Sequence, residues 1–122
     1  MRKLLEVLLR APTKPGVVVE AQLPFGTQIV KFGYKMEKSV IQAPGATGPT
    51  MDIRPSILCL GDPRESRLET HRFQMVMGSE DIPDEARYID VVSLPNGATV
   101  HLFELGEPTP VLVEGTFCSP LA

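Results

Sequence analysis

The chain has no tryptophan, and aromatic residues make up only 6% of its 122 positions. A core built from it therefore rests on Leu, Val, Ile and Met. Two cysteines, Cys59 and Cys118, stand far apart in sequence, and a disulfide between them would tie the tail down in an oxidising compartment. No secretory leader is recognised, because Glu6 and Arg10 interrupt the apolar start and no small-residue cleavage site follows. The two thiols are thus expected to be reduced. No apolar run approaches the ~18–20 residues of a membrane span. Basic residues are not in excess, and the formal net charge of -3 lacks the footprint that nucleic acid requires. Neither a membrane nor a nucleic acid is an expected partner.

Hydrophobic residues (43%) and charged residues (22%) stand near globular values. Twelve prolines and ten glycines are spread along the chain, which favours short strands joined by turns over long helices. The length suits one domain, residues 1–122. Within it, residues 39–56 read as a long Pro/Gly-rich loop and residues 106–122 as a C-terminal extension. The first ten residues fit either a helical stripe or a strand face.

Val17–Leu23 alternates cleanly, as a half-buried strand does. After it comes Leu23-Pro24-Phe25-Gly26, and later Leu94-Pro95-Asn96-Gly97. In both, proline pre-sets a turn and glycine supplies a positive φ, which predicts two hairpins of one turn chemistry. A strand with Val30, Phe32 and Tyr34 on one face follows the first turn. Further strands are expected at Ile57–Leu60, Arg72–Met77, Ile89–Ser93, Ala98–Leu105 and Pro110–Glu114. The predicted fold is all-β: a small antiparallel sandwich or partly open barrel of about seven or eight short strands, with at most one short helical turn. Both faces of the 91–105 hairpin carry apolar residues, which predicts a second covering layer and favours a homo-oligomer.

The order of several short fragments resembles a family of small β-proteins found mainly in bacteriophage genomes. The fragments are Leu23-Pro24-Phe25-Gly26, Asp62-Pro63, Arg72-Phe73, Gly78, Ile82-Pro83-Asp84, Tyr88-Ile89 and His101-Leu102-Phe103-Glu104, across residues 17–105. The chain departs from that pattern in three places. Cys59 lies in a middle strand without the family's aromatic, Gly78-Ser79-Glu80 replaces a Gly-Thr-Gly turn, and residues 39–56 and 106–122 are additions. The resemblance implies a phage origin and a compact β-fold, and it carries over no catalytic residue.

Candidate sites are few. Arg64, Arg67, His71 and Arg72 surround one turn and suit an anion, since guanidinium forks bind carboxylate or phosphate bidentately. The competing reading is a solvated turn whose charges pair locally. Val40, Ile41, Met51, Ile53, Val111, Val113 and Phe117 lie in the loop and the extension. They suit arms that reach a neighbouring subunit or add a strand to an exposed edge. Glu80, Asp81, Asp84 and Glu85 lack the spacing of a calcium loop, with Pro83 among them. His101 reads as a packed strand residue. No metal or cofactor is expected.

The resemblance, together with the lack of a catalytic motif, implies a non-enzymatic, phage-type accessory binding protein that oligomerises in the host cytoplasm. It would engage a host factor or a small anionic ligand, in a role that blunts a host defence. The alternative is a minor structural or decorating component of the virion.

Overall fold

The computed structural model describes residues 1–12, 14, 16–38 and 51–111, with the side chains of residues 38 and 51 left out. The described residues form eight strands and no helix. They are β1 (Lys3–Leu8), β2 (Val18–Pro24), β3 (Gln28–Lys38), β4 (Met51–Gly61), β5 (Leu68–Val76), β6 (Ala86–Ser93), β7 (Thr99–Leu105) and β8 (Thr109–Pro110). All pairing is antiparallel. One sheet has the order β1-β4-β3, and the other has β2-β5-β7-β6 with β8 also on β5. The fold is an all-β pair of sheets that does not close into a barrel.

The ambiguous N-terminal residues are a strand, since Leu5 and Val7 pair with Cys59 and Ile57 of β4. Their neighbours Leu4 and Glu6 face outward and are exposed. Three strands begin earlier than the sequence suggests, β6 by three residues at Ala86. β4 starts at Met51, so the last six residues of the expected loop are strand. Pro55 disguises it, yet proline is tolerated there because β1 ends opposite Ser56 and Leu9 N–H donates to the Pro55 carbonyl at 2.8 Å. β5 starts at Leu68, inside the expected charged turn.

The two Leu-Pro-x-Gly turns differ in a way their sequences hide. Gly26 and Gly97 both have positive φ, 83° and 91°. Only the second turn makes a hairpin: β6 pairs with β7, and Leu94 N–H donates to the Ala98 carbonyl. The first turn carries the chain from one sheet to the other, because β2 pairs with β5 and β3 with β4. The β4–β5 turn crosses back beside it. Phe25 N–H donates to the Arg67 carbonyl at 2.9 Å, and the Arg67 guanidinium lies 4.6 Å from the Phe25 ring centre.

The core lies between the sheets. Val19, Leu23, Phe73, Met75, Val100 and Leu102 from one sheet meet Phe32, Ile57 and Cys59 from the other, with Leu9 beside them. Val30 departs from the predicted face. It sits at a β-bulge between Ile29 and Lys31, which turns it outward and leaves Phe32 in the core. A second bulge, between Tyr88 and Asp90, faces it from β6. There the sheets are joined, since Asp90 Oδ2 accepts the Phe32 amide at 3.0 Å. The bond to that amide, then one from Val91, holds the Asp90 carboxyl below its ordinary range.

Candidate functional site

The two ends of the sandwich have opposite character. At the end where β5 finishes lies an apolar mouth with a cavity of about 390 Å³. Alternation along the strands sends Phe32, Ile53, Met75, Val92 and Val100 toward it, with Met77 and Leu94 just beyond strand ends. Pro12 and Pro55 add rigid apolar wall. Lys14, Glu80, Asn96 and the phenol of Tyr34 bring polar groups to the lining. Glu80 is fixed, because its carboxylate accepts the amides of Met77 (2.9 Å) and Gly78 (2.8 Å). The bond from Met77, then that of its own amide, keeps its carboxyl below the ordinary value. A preformed apolar concavity with a few placed polar groups is the usual build of a binding site.

At the other end, three polar side chains replace apolar ones on the inward face. Glu69 and His71 precede Phe73 and Met75 on the inward face of β5, and Glu104 of β7 stands opposite Phe73. His71 Nδ1 lies 2.6 Å from Glu104 and Nε2 lies 2.8 Å from Glu69. His71 is 2% exposed, and its ring stacks on Phe73 at 6.2 Å. Arg87 reaches Glu104 from the rim at 3.3 Å. With a carboxylate on each nitrogen, only the doubly protonated ring donates to both. Burial pushes the His71 pKa down, and the hydrogen bonds to Glu104 and then Glu69 outweigh it, so the net shift is upward. The cluster has no free nitrogen with which to act as a base or ligand. Among the described residues no group of His, Cys, Asp or Glu converges as a metal site, and no buried side-chain polar atom lacks a partner.

The anion-site residues are not brought together. Arg64 and Arg67 are exposed on the β4–β5 turn. Arg67 Nε is held by Glu65 at 2.6 Å, a bond that keeps the Glu65 carboxyl below its usual value. His71 points into the core, and Arg72, next in the strand, points to solvent. Of the interface residues, Ile53 lines the mouth. Met51 opens β4, and Val111 N–H donates to Leu68 at 2.9 Å. Val40, Ile41, Val113 and Phe117 lie outside the described residues.

His101 is packed against Tyr88, whose hydroxyl lies 3.1 Å from Nδ1. The ring of Tyr88, 53% exposed, also meets Phe103 edge-on at 5.3 Å. Cys59 is free and buried, and burial pushes its thiol up to about 11, which makes it unreactive. Sequence reasoning missed the Glu69–His71–Glu104 cluster. The i, i+2 spacing of Glu69 and His71 was its one local signal, and Glu104 comes from a distant strand. Among the described residues no helix is long and apolar enough to cross a membrane.

No protein-family model, curated protein or solved structure matches this chain.

Proposed function

We propose that this chain is a non-catalytic binding protein that receives an apolar group of a host factor in the mouth at the β5 terminus. The mouth itself carries the reading: an apolar concavity ringed by Met75, Met77, Ile53 and Leu94, with Lys14, Glu80 and Asn96 to orient what enters. Methionine suits such a surface, because its flexible thioether adapts to irregular partners. The titratable groups best placed for chemistry are committed elsewhere. His71 is bonded at both nitrogens, and Cys59 is a buried thiol. A phage accessory role, exerted on a host defence, follows from the resemblance of residues 17–105 and from nothing in the mouth. The mouth favours a host protein over a small anion, since Arg64, Arg67 and Arg72 do not converge.

The test is comparative capture from host extract with the native chain and with Met77→Glu. Met77 is 58% exposed and outside β5, so its replacement leaves the fold intact while placing a charge at the mouth. One protein retained stoichiometrically by the native chain and lost with Met77→Glu is expected. Equal retention by both chains, or retention of nothing by either, overturns the reading.

A further inference from the structure

We propose that two copies of this chain pair through the free edge of β2, continuing the larger sheet across a two-fold axis at Ala21. Apart from the two-residue β8, the sheets have four edges among the described residues, and two of these face one another: β3 and β6 each carry a bulge and are joined by Asp90. β1 and β2 remain, each hydrogen-bonded on one side only among the described residues. β1 begins with Lys3, a charge of the kind that guards edges. β2 carries a single charge, Glu20, closes on Pro24 and has no bulge in its pairing with β5. An edge with unpaired main-chain groups can take another strand where the facing side chains are compatible.

The sequence of β2 suits its own copy. Directly opposed residues in an antiparallel pair share a face, so a two-fold axis must pass through a residue. Ala21 is the midpoint of Val18–Pro24. An axis there sets Glu20 opposite Gln22 of the second copy, so each carboxylate meets an amide donor. It sets Val19 opposite Leu23 on the inward face, with the small Ala21 side chains meeting at the centre. Centred on Glu20, the pairing would oppose two like charges. Glu20 and Gln22 are both exposed, hence available. There is room as well. A cavity of about 530 Å³ lies between Arg10–Pro12 and Val17–Glu20, where Pro24 of the second copy would arrive opposite Val18. Antiparallel pairing also points the two mouths to opposite ends of the dimer, a closed isologous assembly.

Position 22 gives opposite outcomes from one exposed site. Gln22→Glu puts two carboxylate pairs across the axis, and Gln22→Lys makes two Lys–Glu pairs with Glu20. Sedimentation velocity over a concentration series is expected to show a native dimer. Its dissociation constant should rise about tenfold with Glu and fall about tenfold with Lys. A chain that stays monomeric at every concentration overturns the proposal. So does a dimer indifferent to both substitutions, because it would use another surface.

Discussion

One end of this sandwich hides charge and the other displays apolar surface, within the same strands. Following β5 from Leu68, the inward positions are Glu69, His71, Phe73 and Met75, and Met77 then lies at the mouth. The polar end is closed, with every buried polar side-chain atom among the described residues partnered. The apolar end is open, with Met77 exposed and Ile53, Val92 and Leu94 only partly buried. Stability and binding are thus divided between opposite ends. An end that is fully satisfied has nothing left to offer a partner, whereas an end that buries its apolar surface incompletely gains by acquiring one.

The largest effect should come from breaking the closed end. His71→Leu leaves Glu69 and Glu104 facing each other without the cation between them, and should cost about 3–5 kcal/mol in denaturant unfolding. Replacing Glu69, His71 and Glu104 together by leucine should recover most of that loss, because an apolar trio needs no charge compensation. If the triple variant is as unstable as the single one, the cluster does more than balance charge.

Next in size is a pH effect of defined sign. The folded pKa of His71 lies above its ordinary value of about 6.5. The folded state therefore holds the proton more tightly than the unfolded chain. Its contribution is complete below about pH 6.5 and is lost as pH rises through the folded value. Melting temperature measured from pH 6 upward should fall over that window, and the fall should vanish in His71→Leu. A flat profile in the native chain would mean that the ring is not held as the cation.

Residue pattern revealed the class of fold more readily than its connections. Alternation in Val17–Leu23 and the turn residues around Gly97 announce strands and a hairpin, because both signals are local. Leu23-Pro24-Phe25-Gly26 carries the same turn chemistry, yet its strands part. The choice is made by β4 and β5, with which β3 and β2 pair from end to end. Those partners lie dozens of residues downstream. The buried cluster was hidden for the same reason. Arg64, Arg67, His71 and Arg72 read as one charged turn until β5 is known to begin at Leu68, after which alternation sends His71 inward and Arg72 outward.

A smaller effect distinguishes the joined seam from the free one. At the β3–β6 seam the Asp90 carboxylate substitutes for a missing ladder bond by accepting the Phe32 amide. Asp90→Ala should cost about 1 kcal/mol and raise amide exchange at Phe32 above that of its neighbours in β3. An unchanged exchange rate at Phe32 would show that the bulges alone hold the seam.

The smallest stability change belongs to the open end, and its smallness is informative. Met77→Glu adds a charge where the side chain is already mostly exposed, so unfolding free energy should move by no more than about 0.5 kcal/mol. His71→Leu makes the opposite case, for its site lies across the core from the mouth and its damage is to the fold. Measured together on capture and on stability, the two variants should fall in different quadrants. Loss of stability in Met77→Glu comparable to that in His71→Leu would place Met77 in the core. The mouth would then be a packing defect of the sandwich with no binding role.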